Sequence, residues 1–434
     1  MKIYEYKKDS LKPLLDALSK RSPEGQAEVE RAVAEIIKNV KERKDEALIE
    51  YSRKFDGAVL TPETIEVPKK ELDSALDLIS PDLLRVTEKA AANIRAYHEK
   101  QLENSWFTAG DNGIFLGQKI TPLSRVGVYA PAGSAPLPST VLMDVIPAKV
   151  AGVDEIILCS PPGNNGKVDP LILACAKLAG VDRVFMAGGA QAIAAMAYGT
   201  QTVPKVDKIV GPGNIYVATA KKMVFGSCGI DMIAGPSEIL IIADETANPA
   251  FVAADLLSQA EHDKLASSIL LTTSKELAEN VLKELETQMS RLTRKEIALE
   301  SIENYGAVIV TDTINEAVDI SNKIAPEHLE VCTKNPFELL PFIKNAGAIF
   351  LGSFSPEPLG DYFAGPNHTL PTSGTARFFS PLGVYDFVKR QSVISYSQDA
   401  FKAVASDVAA FAHAEGLTAH AEAILIRQGD GFSV

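Results

Sequence analysis

The chain has 434 residues, of which 46% are hydrophobic and 23% charged, which is typical of a globular protein with roughly two to four domains. This composition excludes collagen-like, low-complexity and disordered proteins. The 43 Lys and Arg residues are outnumbered by 56 Asp and Glu residues, and the net charge of −13 excludes the basic footprint of a nucleic-acid binder and disfavours an anionic membrane.

The N-terminal segment is charged and lacks the apolar stretch of a secretory signal. No run of about 18 apolar residues occurs, so we expect no transmembrane helix. The four cysteines form no CxxC pair, which argues against a disulfide framework and a thiolate zinc site. We therefore expect a cytoplasmic protein.

Residues 1–123 are predicted to be a mainly helical region that packs on the second of two sheet modules. Ser22-Pro23-Glu24 is a typical helix start, and apolar residues then recur at helical spacing. A second helix is predicted from about Pro81 to His98. His98 is flanked by Glu99 and Lys100, so we expect it at the surface.

Residues 124–385 are predicted to form two α/β modules, 124–238 and 239–385, that meet near Gly235-Pro236-Ser237. Short β-branched runs alternate with helix-length segments, which is typical of βαβ units and a parallel sheet. The predicted strands are Val126–Ala130, Glu155–Ser160, Arg183–Ala187, Asp207–Val210, Ile239–Ala243, Ser268–Thr272, Ala307–Thr311 and Gly347–Leu351. The predicted helices between them include Pro170–Leu178, Ala190–Tyr198, Phe251–His262 and Ser274–Gln288.

Residues 386–434 are predicted to be a helical arm. Its helical segments are Asp407–Glu415 and Thr418–Ile426, separated by a break at Gly416. We expect this arm either to pack on its own subunit or to reach a partner subunit.

Three Gly- and Pro-rich segments follow predicted strands of the first module: Tyr129–Pro136, Ala187–Gln191 and Gly211–Asn214. Such segments allow backbone N–H groups to approach a phosphate at a helix N-terminus, but they also occur as ordinary turns. Neither a G-x-G-x-x-G nor a Walker A sequence is present. The segments therefore favour a nucleotide without identifying it.

Five of the six histidines follow residue 260, which favours a metal site in the second module. His262 is a candidate ligand, accompanied by Gln259 or Glu261, and the carboxylate is the commoner zinc ligand. With Asp361 and His420 it would form a mixed nitrogen and oxygen site suited to zinc or manganese.

Glu327 and His328 place a carboxylate beside an imidazole. The pair is suited to a base that activates water and a base that takes a hydroxyl proton, while a salt bridge at a helix end is the structural alternative. Cys332, four residues on, is either a thiol nucleophile or a small core residue of a strand over 329–333.

Longer motifs resemble the signature of the histidinol dehydrogenase family, and they occur in the family's order over essentially the whole chain. They are Ile230–Glu238, Asp255–His262, Gly211–Asn214, Pro326–Leu329, Gly360–Tyr362 and Leu417–His420. The resemblance implies an α/β fold with two incomplete Rossmann-like modules. It also implies an NAD- and zinc-dependent enzyme that oxidises L-histidinol through L-histidinaldehyde to L-histidine.

The resemblance assigns roles to individual residues. Zinc would be held by Gln259, His262, Asp361 and His420, which replaces the preference for Glu261. Glu327 would activate water, and His328 would take and return protons. Substrate would contact the zinc ligands, His328, Ser237, His368 and Glu415. NAD would contact Tyr129, Gln191 and Asn214.

The family forms an intertwined homodimer, so Glu415 and His420 are expected to come from the partner subunit. Two other classes compete with the dehydrogenase. A metal hydrolase would use the same His, Asp and Glu set, although the chain lacks an HExxH motif. A non-catalytic nucleotide-binding protein would leave Glu327 and His328 without a role.

Overall fold

The computed structural model describes residues 1–19, 21, 27–132, 136–163 and 165–428. Two compact units are formed: residues 1–102 with 123–387, and residues 103–122 with the chain from 388 onward. The predicted helix start Ser22-Pro23-Glu24 and part of the first glycine-rich segment, Gly133–Ala135, lie outside the described residues.

The strands are numbered in chain order. They are β1 (Lys2–Glu5), β2 (Trp106–Ala109), β3 (Ile114–Pro122), β4 (Arg125–Tyr129), β5 (Glu155–Ser160), β6 (Arg183–Met186), β7 (Lys208–Val210), β8 (Gly229–Ile230), β9 (Glu238–Ala243), β10 (Ser267–Thr272), β11 (Ala307–Val310), β12 (His328–Cys332), β13 (Ala348–Leu351) and β14 (Val388–Tyr396).

The helices are numbered in the same way. They are α1 (Lys12–Ser19), α2 (Ala27–Arg43), α3 (Asp45–Phe55), α4 (Lys69–Asp73), α5 (Pro81–His98), α6 (Pro138–Ala151), α7 (Pro170–Ala179), α8 (Gly189–Tyr198), α9 (Ile215–Val224), α10 (Pro249–Ala260), α11 (Lys275–Met289), α12 (Lys295–Tyr305), α13 (Ile314–Ile324), α14 (Pro336–Leu339), α15 (Glu357–Leu359), α16 (Gln398–Ala414) and α17 (Thr418–Gln428).

The first module consists of a parallel sheet with the strand order β6-β5-β4-β7-β8 and the helices α6–α9. Its strands read as continuous apolar runs because helices cover both faces. Helix α6 is buried on all sides over Thr140–Ala148, as expected for a helix enclosed by the core. The strands and helices predicted here are confirmed to within about two residues.

The second module consists of a parallel sheet with the order β1-β11-β10-β9-β12-β13 and the helices α10–α13. Separate apolar clusters lie around its core strands. The edge strand β1 comes from the start of the chain and pairs with β11 in the register Lys2↔Ala307. The sequence pattern predicted β9–β13 in part and gave no sign of β1.

The N-terminal region is shared between the two modules. Helix α2 buries the predicted apolar stripe, but Val33 and Val40 lie in the core of the first module. Tyr4 and Leu14 instead lie in the core of the second. The prediction that this region packs on the second module is therefore wrong for α2. A stripe shows which face of a helix is buried, but not which neighbour buries it.

His98 is a second correction. Helix α5 spans Pro81–His98 as predicted, with Ser80 as its N-cap. His98 is buried, and its Nδ1 donates to the Ile94 carbonyl oxygen at 2.8 Å. The charged neighbours Glu99 and Lys100 lie in a 3-10 turn after the helix, so they do not mark the face on which His98 lies.

The second unit combines an antiparallel sheet, β14-β3-β2, with helices α16 and α17. The helices confirm the predicted helical arm, and Gly416, with a φ of 75°, lies between them. The strand β14 was not predicted: Val388 pairs with Pro122 and Tyr396 with Ile114. Its partner lies about 270 residues earlier, so no local pattern identifies it.

Candidate active site

The candidate site lies at the amino ends of strands in the second module. Glu238 begins β9, Glu327 directly precedes β12, and His328 begins it. Helix α10 ends at Ala260, one residue after Gln259, and leads toward β10. Because these strands are neighbours and parallel, their first residues lie close together.

Glu327 and His328 are both held by the backbone of Glu238. The Glu238 N–H donates to Glu327 Oε2 at 2.8 Å, and His328 Nδ1 donates to the Glu238 carbonyl oxygen at 3.0 Å. His328 Nδ1 lies 3.5 Å from Glu327 Oε2, and His328 Nε2 lies 3.6 Å from Asp361 Oδ1. The pair therefore belongs to the start of a strand and not to a helix end.

Burial and nearby charges shift the pKa values of this pair. Burial raises the pKa of Glu327 to about 8, against the attraction of His328. Burial lowers the pKa of His328, but the carboxylates of Glu327 and Asp361 outweigh it and raise that pKa to about 10. A cation bound by Asp361 would offset that carboxylate and lower the pKa again, so that the imidazole can accept a proton. An acid and a base with displaced pKa values in contact are typical of a site that moves protons.

Gln259 and His262 lie at and just beyond the end of α10. Gln259 is 1% exposed; its side chain interacts with the Glu357 carboxyl, to which only the Nε2 can donate, while its Oε1 has no hydrogen-bond partner among the described residues. Leaving such an oxygen unpaired costs about 1–3 kcal/mol, so Oε1 indicates a ligand. Burial lowers the pKa of His262, against the effect of Asp361, and so favours the neutral imidazole that binds metals.

Asp361 lies in a π-helical turn, Gly360–Ala364. Burial opposes its ionisation, but His328 and His368 keep the pKa of Asp361 below its usual range. Ligand atoms of His328, Glu357 and Asp361 lie within 4.8 Å of one another. These atoms, together with the unpartnered Oε1 of Gln259, fit a divalent cation.

The sequence analysis missed Glu357. This residue is 2% exposed, its N–H donates to Glu330 Oε1 at 2.7 Å, and its Oε2 accepts from Ser258 Oγ at 3.1 Å. It lies four residues before Asp361, a spacing that puts two side chains on one side of a helical segment. That spacing was a usable signal, but the flanking Pro356 and Pro358 made a helix seem improbable.

Known proteins identify the family. The family model described as histidinol dehydrogenase matches residues 19–428. The chain belongs to the histidinol dehydrogenase family. It is 57% identical to the histidinol dehydrogenase of Aquifex aeolicus, over 99% of this chain and 100% of that one. It is 56% identical to that of Clostridium acetobutylicum, over 95% of each chain.

A solved structure agrees with this assignment. The crystal structure of histidinol dehydrogenase from Elizabethkingia anophelis matches with a TM-score of 0.92 and 41% identity, over 99% of this chain and 98% of that one. The α/β fold and the oxidoreductase class that the resemblance implied are thereby confirmed. The roles of single residues stay predictions.

His368 lies beside the candidate site of this family member. Its Nε2 is buried without a hydrogen-bond partner among the described residues, and burial lowers the pKa of its imidazole. The neighbouring residues fix the loop to α6: Asn367 Nδ2 donates to the Met143 carbonyl oxygen at 2.6 Å, and Thr369 Oγ1 donates to Asp144 Oδ1 at 2.8 Å. This loop thus joins the second module to the first. Ser237 is half-buried directly before β9.

The residues expected to contact NAD lie at the carboxyl ends of strands in the first module. Tyr129 ends β4, and its hydroxyl accepts from the Gly189 N–H at 3.0 Å. Gln191 lies in the first turn of α8, where its Nε2 donates to Asp56 Oδ2 at 3.4 Å. Asn214 caps α9 through its side-chain oxygen, which leaves its Nδ2 available.

Glu415 and His420 lie in the second unit, and both are exposed within one chain. Glu415 directly follows α16, and His420 lies in the first turn of α17. Of the predicted zinc ligands, the first unit holds Gln259, His262 and Asp361, and Asp361 lies near enough to His262 to raise its pKa. The expectation that His420 is supplied by the partner subunit stays a prediction.

Cys332 is a buried core residue, as the strand interpretation predicted. It ends β12, at the opposite end of the strand from His328. Burial raises the pKa of its thiol, which disfavours a thiolate nucleophile. Separately, none of the helices within the described ranges has the length and apolar character needed to cross a bilayer.

Proposed function

We propose that this chain oxidises L-histidinol to L-histidine through L-histidinaldehyde, as the last steps of histidine biosynthesis. One histidinol, one water and two NAD⁺ give one histidine carboxylate, two NADH and three protons. The observation that carries the proposal is the Glu327–His328 pair, held side by side with His328 Nε2 facing Asp361. Family membership supports the same reaction.

The residues present fit a zinc ion. Gln259, His262, Asp361 and the partner subunit's His420 would hold it, and the Oε1 of Gln259 lacks another partner among the described residues. A zinc ion supplies positive charge that orients polar groups of the substrate and polarises the reacting oxygen. Histidinol offers an imidazole and an amine, which are good zinc ligands.

His328 and Glu327 would divide the proton transfers. His328 takes the proton of the substrate hydroxyl in the first oxidation, with its ring oriented by the Glu238 carbonyl oxygen. Glu327 takes a proton from the water that adds to the aldehyde carbon, which makes the hydrated aldehyde for the second oxidation. His328 then takes a proton from that hydrate. Both residues are enclosed, which keeps bulk water away.

Tyr129, Gln191 and Asn214 would hold NAD, which accepts the hydride in each oxidation. The glycine-rich segments around them let the cofactor approach the backbone, because glycine has no side chain and adopts positive φ, as Gly189 and Gly211 do. Ser237, His368 and Glu415 would contact the substrate. We further propose a cytoplasmic homodimer in which each site takes Glu415 and His420 from the partner subunit; the four cysteines are free and buried, which suits a reducing compartment.

The test is turnover of L-histidinol with NAD, followed as NADH and as histidine, with and without a chelator. We expect two NADH per histidine, loss of activity with the chelator, and recovery with zinc. L-phenylalaninol is the matched control, because it keeps the amino alcohol and lacks the imidazole. Equal turnover of both alcohols would refute the substrate, and histidine formation unaffected by complete metal removal would refute the zinc site.

A further inference from the structure

The pair Glu327–His328 depends on one residue to which no role in the reaction has been assigned. Glu238 supplies both the N–H that binds Glu327 and the carbonyl oxygen that binds His328. The orientation of the pair therefore follows the backbone of Glu238. Whatever fixes that residue fixes both proton-transfer groups.

The side chain of Glu238 is a buried carboxylate, 5% exposed. Its Oε1 accepts from the Ser373 N–H at 3.2 Å and forms an ion pair with the Arg21 guanidinium. Its Oε2 has no hydrogen-bond partner in the part of the chain that the structure describes. A buried carboxylate is tolerated only with a cation, and the cation that the structure provides here is Arg21.

Arg21 is anchored independently of Glu238. The residue is 5% exposed, Arg21 Nη1 donates to the Leu265 carbonyl oxygen at 2.8 Å, and its guanidinium carbon lies 5.5 Å from the centre of the Tyr305 ring. Arg21 follows α1, far from Glu238 in sequence. Its guanidinium connects Glu238, at the start of β9, with Leu265, just before β10.

We propose that Arg21 is a positioning residue for the Glu327–His328 pair and acts through Glu238. The guanidinium holds the Glu238 carboxylate, and this in turn fixes the start of β9, whose N–H and carbonyl oxygen hold the pair. The proposal rests on the proposed function, since the pair has a catalytic role only there. Nothing in the roles expected from the family involves Arg21 or the side chain of Glu238.

The first test is kinetic, with R21A, R21K and E238Q. We expect R21A to lower kcat by about 100-fold, the cost typical of misplaced catalytic groups, with little change in KM for histidinol or NAD. R21K should lose less of its kcat, because lysine keeps the positive charge. Some loss should remain, because lysine lacks the planar set of donors of a guanidinium. Guanidinium ion in the assay should restore part of the R21A activity. A kcat of R21A within about twofold of wild type would overturn the proposal.

The matched control is R183A. Arg183 likewise pairs with a glutamate, through two hydrogen bonds to Glu66 at 2.8 and 2.6 Å, but it lies in the first module, away from Glu327 and His328. We expect its kcat to stay unchanged and guanidinium to have no effect on it. Equal guanidinium activation of R21A and R183A would show a general solvent effect and overturn the proposal.

The double variant R21A/E238Q tests whether the two residues act as a unit. We expect its loss in kcat to be no greater than that of the worse single variant, because each change breaks the same link. Losses that multiply would show independent effects and contradict the proposed route. If R21A does not fold, the same comparison is made with R21K.

Hydrogen exchange measured by mass spectrometry tests the link without turnover or metal. In R21A, peptides covering the starts of β9 and β12 should exchange faster, because the Glu238 N–H loses its fixed partner Glu327, while a peptide covering β5 stays unchanged. Unchanged exchange at β9 overturns the proposal even if the wild-type enzyme oxidises histidinol. Faster exchange at β9 in a protein that does not oxidise histidinol would refute the proposed function and leave the link intact.

Discussion

The two modules of this chain use opposite ends of their parallel strands. The first presents glycine-rich segments after the carboxyl ends of β4, β6 and β7, where open α/β sheets usually bind ligands. The second presents Glu238, Glu327 and His328 at the amino ends of β9 and β12. At an amino end the first N–H of a strand is free to bind a side chain, as the Glu238 N–H does. The backbone at the carboxyl ends of the first module suits a phosphate, whereas the backbone at the amino ends of the second orients the side chains of Glu327 and His328.

Two sets of buried charged groups, one in each module, are balanced differently. In the first module, Asp231 pairs with Lys221, whose Nζ donates to the Gly211 carbonyl oxygen at 2.8 Å, while the Gly211 N–H donates to Asp231 Oδ2 at 2.8 Å. In the second module, burial raises the pKa of Asp255 to about 6 and that of Glu357 to about 8. Asp231 therefore has its cation within the fold, whereas Glu357 belongs to the cluster of ligand atoms that fits a divalent cation.

The largest expected effect is that of H262N, which removes a predicted zinc ligand. We expect kcat to fall by about 10⁴-fold and bound zinc to be lost, with the unfolding midpoint of the metal-free protein unchanged. Zinc content by mass spectrometry and kcat are the measurements. H413N, at an exposed histidine with no assigned role, is the control. Full zinc content in an inactive H262N would contradict the ligand assignment.

The variant K221M removes the cation of the buried Lys221–Asp231 pair in the first module. It leaves the Asp231 carboxylate buried without its cation, so the free energy of unfolding should fall by about 3–5 kcal/mol. Urea unfolding at one protein concentration measures it. K264M, which removes an exposed pair with Glu300, should cost less than about 1 kcal/mol. Equal costs would mean that burial does not distinguish the two pairs.

The variant E327Q tests the water-activating role proposed for Glu327 in the second module. Aldehyde oxidation should fall by about 100-fold, because the group that activates water is lost, while alcohol oxidation falls much less. The two steps are measured separately by supplying L-histidinol or L-histidinaldehyde. Equal losses in both steps would argue against a water-activating role. Stability should not fall, because a buried ionisable group is replaced by a neutral one.

Asp144, which lies in α6 of the first module and accepts from Thr369 of the second, gives stability a pH dependence. Burial raises the pKa of Asp144 to about 8, so between about pH 4 and 8 the folded chain holds a proton that the unfolded chain has released. Stability must therefore fall as pH rises through this window, by up to about 1.4 kcal/mol per pH unit. D144N should flatten that slope in urea unfolding. Parallel slopes for both proteins would contradict a protonated Asp144.

The smallest effect is expected for C332A. The thiol lies at the end of β12 away from His328, so kcat should stay within about twofold of wild type, and stability should fall by about 1 kcal/mol. Steady-state kinetics and urea unfolding measure the two. A loss of aldehyde oxidation alone would revive the thiol nucleophile.

Local patterns predicted the regular parts of the fold. The strand Glu155–Ser160 and the helix Pro81–His98 were predicted residue for residue, because a β-branched run and a capped helix carry their own signals. The strands β1 and β14 were missed, since each pairs with a segment hundreds of residues away.

The residues of the candidate site differ in the same way: some carry a local signal in the sequence, and others do not. His328 and His262 were found because histidine is rare in this chain, and Glu327 because it stands beside His328. Arg21 and the side chain of Glu238 could not be found, because their pairing is a tertiary contact that no spacing in the sequence encodes. Glu357 lies between these cases: its spacing from Asp361 was visible, but two prolines obscured the helical segment.

The edge strand β1 has a consequence for how the protein is made. Lys2–Glu5 is synthesised before its partner Ala307–Val310, which follows only some 15–60 seconds later, at about 5–20 residues per second. The first module, continuous in sequence from β4 to β8, can complete its sheet during that interval. The start of the chain must meanwhile stay unpaired and free of other strand edges. Charge discourages pairing between strand edges, and this segment carries four charged residues: Lys2, Glu5, Lys7 and Lys8.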